Sequence, residues 1–388
     1  MSGNRRILVI SSTPTHPANA GNRVRIAAIL KSLDALGFDF HFAYFRTEQA
    51  DDEAMRACWG PQRCTIWEHQ AEPDRTPFLG RVKRRLYRMF SIPHYGTLPI
   101  DALKSAQLER RVLKLAAEFR PDAVLVEYVF YSWLLELFGP EVRKIIDTHD
   151  VFTNRHQRFL RNGVEPEWHS TTRRQERKGL QRANCVIAIQ DQEREFFSKL
   201  TKGKVVTVGH IAPTQDFSAK ESPEPRVLLT ASHNQVNRDG AAHFIEDVWP
   251  LIQRCVPGAQ LELCGRICNH MAPAAGVVLS GELPSLEPAY ARAWVVISPL
   301  RFGTGLKIKT IEAMAFGKAT VATAVSAEGL ESAAGTALRL ADGPESFAAE
   351  CVSLLESIEM RRQLGRRALA FVESWNARQR QSLAEALG

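Results

Sequence analysis

The residues with the clearest chemical potential lie in SPLRFGTGLKIKTIEAMAFGKATVAT, residues 298–323. An apolar strand ends at Pro299, Gly303 and Gly305 make a loop, and a helix is expected from Leu306 to Phe316. Gly317 stops that helix in the left-handed cap position. A glycine-rich turn feeding a helix presents unpaired N–H groups and the positive dipole end, which suits a phosphate. Lys307 and Lys309 fall in the first turn, where that dipole disfavours cations, so an anion bound there would explain them. Neither GxGxxG nor a P-loop matches, because the third glycine and the Gly-Lys-Ser/Thr ending are missing. Glu312 lies too deep in the helix for a capping box and is flanked by Ile311, Ala313, Met314 and Phe316. A buried carboxylate needs donors, and a ribose diol offers two hydroxyls at once. A solvent-facing or structurally paired glutamate fits the same spacing.

His149 is the second candidate. It closes the apolar run KIIDTH between Asp147 and Asp150. A histidine there is either satisfied by a backbone carbonyl or presented for chemistry. Asp150 either orients its ring or caps a following helix. Gly21, in the loop after the first strand, allows close approach of backbone to a diphosphate or acceptor, or is a plain turn. Arg25, in the next helix, is an acceptor-side cation or a solvated residue.

The elements around these residues read as alternating strands and helices. Strand candidates in the first half are ILVISS, FDFHFAY, AVLVEY, KIIDTH, CVIAIQ and VVTVGH. The second half continues with VLLTAS, AQLELCG, GVVLSG, AWVVISPL, ATVATAV and ALRLAD. Short apolar runs separated by helical patterns indicate parallel strands buried on both faces. The fold class expected is α/β, two doubly wound Rossmann-like domains with a cleft between them. Ligands in such sheets sit at the carboxyl ends of the strands. APTQDFSAKESPEPR, residues 212–226, reads as the linker between them.

The 388 residues exceed one typical core, and 45% hydrophobic with 24% charged is ordinary globular usage. This excludes a largely disordered chain, a collagen-like rod and a disulfide scaffold. The net charge of +7 is uneven: residues 1–210 hold 33 Lys+Arg against 24 Asp+Glu, the rest 17 against 19. A partner that seeks positive charge should meet the first half. The seven scattered cysteines behave as small hydrophobes of a reducing compartment. Cys264 and Cys268 have no second pair or ligand histidines at zinc spacing, and no Asp-x-Asp occurs. No metal is expected. No apolar run is long enough to span a bilayer, so a cytoplasmic protein is expected, at most peripheral on the inner face of a membrane. FLGRVKRRLYRMF, residues 78–90, interleaves five basic with apolar residues and suits an anionic membrane surface or an internally packed basic helix equally. No recognition motif accompanies the basic residues, so nucleic acid is not the expected partner.

GTGLKIKTIEAMAFGKATVAT resembles the donor-binding segment of glycosyltransferase family 4, nucleotide-sugar-dependent enzymes of the GT-B fold. TPTHPANAGNRVRIAAILKSL (13–33) resembles that family's first loop and helix, and IIDTHDV (145–151) its strand ending in a histidine. HNQVNRDGAAHFIEDVWPLI (233–252) is similar to the start of its second domain, and ESWNARQRQSLAEAL (373–387) to a terminal helix packing back on the first. The domains implied are 1–210 for the acceptor, 211–365 for the nucleotide sugar, and 366–388 for the returning helix.

The resemblance assigns Glu312 to the ribose and His149 to the donor sugar at the reacting centre. Of two glutamates lining the family's donor site, the first falls here on Thr304, so the contacts to the sugar ring differ. The family's Arg and Lys after the first strand of the second domain are reduced to Arg238. Lys307, with Arg301, is therefore expected to supply the diphosphate charge, beside Gly303, Gly305, Leu306 and Gly21. Gly265 and Leu283, at the edges of two strands, flank the base. The expected activity is metal-independent transfer of a sugar, with retention, from a nucleotide sugar, UDP favoured over GDP or dTDP. The acceptor would be a glycan, lipid-linked or protein acceptor, in the setting of bacterial surface polysaccharide. A non-hydrolysing nucleotide-sugar epimerase and an inactive nucleotide-sugar-binding subunit remain as alternatives.

Overall fold

The computed structural model describes residues 5–68, 96–166, 169–218 and 220–388. Two compact units emerge. The first comprises Met1–Ala18, Asn22–Val208 and Ser382–Gly388, and the second Asn19–Gly21 and Gly209–Gln381.

The first unit holds strands β1 (Arg6–Ser11), β2 (Asp39–Phe45), β3 (Cys64–Trp67), β4 (Ala123–Glu127), β5 (Arg143–Asp147), β6 (Cys185–Ala188) and β7 (Lys204–Thr207). They form one parallel sheet in the order β3-β2-β1-β4-β5-β6-β7. Side chains alternate between its faces. Leu8, Ile10, Val124, Val126, Ile146 and Val186 enter one core, while Ile7, Val9, Leu125, Ile145 and Ile187 enter the other. Helices on both sides demand this double burial, which is why the strands read as unbroken apolar runs.

The second unit repeats the plan with β8 (Arg226–Thr230), β9 (Gln260–Cys264), β10 (Val277–Gly281), β11 (Val295–Ser298), β12 (Ala319–Ala322) and β13 (Arg339–Leu340). The order is β10-β9-β8-β11-β12-β13, again parallel. Val227, Leu229, Leu261, Leu263, Val295 and Ile297 pack on one face, Leu228, Cys264 and Val296 on the other. In each sheet the strand order reverses, between β1 and β4 and between β8 and β11. The carboxyl ends at such points are where ligands sit in open α/β sheets.

Three expectations are corrected. The segment 212–226 is not a bare linker. Gln215 and Phe217 donate their backbone N–H to the carbonyls of Ala315 and Phe316, and Phe217 stacks on Phe316 at 5.2 Å. An aromatic residue among the prolines gives the segment a core to join. The helix after the glycine loop runs over Ile308–Ala315, shorter at both ends than Leu306–Phe316, with Lys307 at its N-cap. Gly317 at φ 65° ends it as its lack of a Cβ allows. The terminal helix is longer than expected, Ile358–Leu387. Its residues Trp375, Asn376 and Gln379 bond the backbone of Gly209–Ala212. Its end contributes Leu383, Ala386 and Leu387 to the first unit's core. Among the described residues no helix is long and apolar enough to cross a membrane. FLGRVKRRLYRMF, residues 78–90, lies outside the described residues.

Candidate donor-binding loop and histidine centre

In the second unit the loop after β11 turns on two glycines, Gly303 at φ 151° and Gly305 at φ 71°. Both values lie in the region that residues with a Cβ rarely adopt. Gly305 and Leu306 are buried, and Thr304 is half-buried. Lys307 folds back over the turn. Its Nζ donates to the Gly305 carbonyl at 2.6 Å and lies 3.5 Å from Glu328 Oε2. No side chain caps the following helix, and its first turn carries no acid. The loop therefore gathers an ammonium and an uncapped helix start in one place, a charge pattern that favours an anion.

Glu312 lies one turn further along. Burial pushes its carboxyl up to about 7, with the charge of Lys309 pulling it back. Lys309 is lowered by burial to about 8, with Glu312 opposing that shift. The glutamate is therefore electrostatically paired and half-buried, and Lys309 is the cationic neighbour the sequence did not assign to it.

The remaining second-unit candidates divide. Arg301 forms a two-point ion pair with Asp239 and lines a cavity of about 220 Å³ with His243, Leu300 and Phe347. Its charge is matched there by Asp239. Gly265 stands at φ 103°, and a Cβ would overlap the Ala231 carbonyl oxygen. Close packing of the β8 and β9 ends already requires this glycine. Leu283 packs partly buried against the cluster of Tyr290 and Val296. Gly21 opens helix Gly21–Ala35, and a Cβ there would lie 3.4 Å from Ile308 Cδ1.

In the first unit, His149 follows β5 by two residues, at φ 61°. Its Nε2 is hydrogen-bonded to Glu127 Oε2, and its ring stacks on Tyr128 with centroids 4.2 Å apart. Asp150 does not orient the ring. It accepts the Val151 N–H at 2.8 Å and pairs with Arg155 at 2.8 Å. Arg25 is not solvated: it is 1% exposed and grips both oxygens of Asp147, at 2.9 and 2.8 Å. Burial works against that guanidinium's charge, but Asp147 more than offsets it and raises its pKa. Burial, then the charge of Asp147, pushes the Glu127 carboxyl up, while His149 and Arg25 pull it down.

Glu127 and Tyr128 were not singled out in the sequence, and Lys309, expected beside a bound anion, is the charge partner of Glu312. The available signal for the first pair was AVLVEY itself, a buried parallel strand that ends in a carboxylate. Glu127, Asp147 and His149 bring donor atoms within 4.8 Å of one another. Arg25 takes both oxygens of Asp147, and Nε2 is engaged by Glu127, so the three side chains form one charge network.

Residues 224–357 match the family described as Glycosyl transferases group 1. No curated protein sequence matches the chain significantly. Among solved structures, sucrose-phosphate synthase from Thermosynechococcus elongatus superposes with TM-score 0.67 at 16% identity, over 98% of each chain. HepE of Anabaena, in complex with UDP and glucose, superposes with TM-score 0.65 at 14% identity, over 99% of each chain. The pneumococcal O-GlcNAc transferase GtfA, in complex with UDP and GlcNAc, gives 0.65 at 11% identity, over 99% of each. The two parallel-sheet units thus have the GT-B fold, and the stretch that matches the glycosyl transferases group 1 family, residues 224–357, includes the glycine loop, Lys307 and Glu312.

Proposed function

We propose that the protein transfers a sugar, with retention of configuration, from a UDP-sugar to an envelope-glycan acceptor such as a lipid-linked or surface-polysaccharide intermediate. The observation that carries this reading is the loop Gly303–Lys307 with its uncapped helix and Glu312 one turn on, inside the glycosyl transferases group 1 match. UDP is favoured over GDP or dTDP because two of the structural neighbours are complexes with UDP.

The demanding step is departure of the diphosphate. Fixed positive charge placed where negative charge develops lowers such a barrier more than other catalytic effects usually do. Here the helix start, the Gly305 and Leu306 amides and Lys307 supply it without a metal. Glu312 in its ionised form accepts hydroxyl hydrogens from the ribose, and the charge of Lys309 favours that form against burial. His149 serves the reacting sugar. Glu127, fully buried with one oxygen on His149, is not placed to attack an anomeric carbon. Front-side displacement by the acceptor, on the face the diphosphate leaves, then retains the configuration. A lipid-linked acceptor would bring the protein to the inner face of a membrane, where the basic segment 78–90 meets anionic lipid.

Incubation of the full chain with UDP-, GDP- and dTDP-sugars and membrane extract tests the reading. Transfer from a UDP-sugar, with product NMR showing retained configuration, is the expected result. Acceptor-free isomerisation would make the protein an epimerase, and nucleotide binding without turnover would make it an inactive binding subunit.

A further inference from the structure

Glu127 and His149 lie 22 residues apart in sequence, at and just beyond the carboxyl ends of neighbouring strands β4 and β5. Tyr128 and His149 both adopt positive φ, 66° and 61°. For residues with a Cβ this backbone region is strained and persists only where surroundings enforce it. Its result is a stacked pair of rings with an interplanar angle of 14°. The Tyr128 hydroxyl accepts from Asn22 Nδ2 at 3.0 Å, which anchors the outer ring of the stack. The His149 side chain is only 6% exposed, and its Nε2 is directed at the Glu127 carboxylate. Its Nδ1 has no hydrogen bond within the described residues, nor is it one of the sealed, unpaired polar atoms. Nδ1 is therefore the nitrogen left for a ligand.

We infer that Glu127 is a positioning residue: it holds the His149 ring with Nε2 inward, so that Nδ1 accepts a hydroxyl of the transferred sugar. This rests on the glycosyltransferase reading. One proton shared between Oε2 and Nε2 leaves a lone pair on Nδ1. The charged and titratable groups packed around the pair are Arg25, Asp147, Tyr128 and, beyond Arg25, Glu193 and Asp150. Arg25 is matched to Asp147, so Glu127 is the negative charge that acts on the ring. Tyr128, its own pKa raised mainly by burial, stays neutral beside it.

Glu127→Gln keeps the shape and an acceptor for Nε2–H but removes the charge. We expect kcat to fall by about 10²-fold, the scale of a misplaced catalytic group, with the donor KM changed less than about threefold. Glu127→Asp should recover part of kcat. A merely structural glutamate would lower the yield of folded protein and leave kcat per folded molecule unchanged, which would overturn the inference. Nitrogen-15 NMR of the His149 ring, assigned with His149→Ala, reads the same point without turnover. An unprotonated Nδ1 in the unaltered protein, and a different distribution of the proton between the two ring nitrogens in Glu127→Gln, are expected. A proton on Nδ1, or the same distribution in both proteins, overturns the inference. Absence of sugar transfer by the unaltered protein strikes the functional reading instead.

Discussion

Arg25 and Asp147 lie 122 residues apart in sequence and form a fully buried two-point ion pair, Nε to Oδ2 at 2.9 Å and Nη2 to Oδ1 at 2.8 Å. The pair fastens helix Gly21–Ala35 to the end of β5, two residues before His149. The remaining guanidinium nitrogen, Nη1, is buried without a partner. Removing one member of such a pair leaves the other buried and uncompensated, a loss of about 3–5 kcal/mol, whereas replacing both by apolar residues is often near neutral. Arg25→Met should therefore lower the urea midpoint sharply, and Arg25→Met with Asp147→Leu should recover much of it. A double variant no better than the single would mean that the pair is not the source of the loss.

Lys307 makes its own contacts with loop carbonyls and with Glu328, so its removal should spare the fold while stripping charge from the loop. Charge-assisted hydrogen bonds contribute about 1.5–3 kcal/mol, so Lys307→Ala should weaken UDP binding by about 10- to 100-fold. Glu328→Gln removes a carboxylate that competes with the diphosphate for the same ammonium, and should tighten UDP severalfold. Isothermal titration reads both. Unchanged affinity in Lys307→Ala would remove the diphosphate from this loop.

Glu312 gives nucleotide binding a pH dependence with a defined sign. Its carboxyl, pushed up to about 7 chiefly by burial, is partly protonated near neutrality. Ribose hydroxyls donate to the ionised form, so UDP affinity should rise as pH passes upward through about 7 and level off as Lys309, at about 8, loses its proton. Below pH 7 binding should release a proton, visible as a buffer-dependent heat. Glu312→Gln should flatten the profile and abolish the release. A wild-type affinity independent of pH would separate Glu312 from the ribose.

What the sequence made legible follows from distance along the chain. The parallel strands announced themselves because burial on both faces leaves no polar residue to disguise a run such as ILVIS. The glycine loop and the Gly317 stop were legible because a left-handed backbone is a local demand. Arg25 misled because one cation in a helix looks the same whether it meets water or an aspartate from β5. Glu127 was passed over because its meaning depends on a partner on the next strand. Asp150, adjacent in sequence to His149, could on adjacency alone orient the ring or cap a helix, and strand-end geometry and Arg155 direct it away from the ring. The missing helix cap at Lys307 was visible only as an oddity of charge until the loop closed around it.

Glu176 ties down the chain that follows His149, and its protonation sets a stability window. It is fully buried and accepts the backbone N–H of Phe152 and Thr153, each at 2.9 Å, and the Thr153 hydroxyl. Burial raises its pKa from the ordinary 4.5 to about 7, against those hydrogen bonds, which lower it. The folded chain thus keeps this proton up to about pH 7, while the unfolded chain loses it from about 4.5. Between those values the folded state binds more protons, so this group's contribution to stability falls as pH rises, and changes no further above about 7. Glu193, also raised by burial and by the charge of Asp150, adds a slope of the same sign in the unaltered protein. The informative quantity is therefore the difference between two proteins. Glu176→Gln should show a shallower decline of urea midpoint between pH 5 and pH 7.5 than the wild type, with about 1–3 kcal/mol lost to the weakened acceptor. Parallel declines would show that Glu176 is ionised in the folded chain throughout, and that its backbone bonds outweigh its burial.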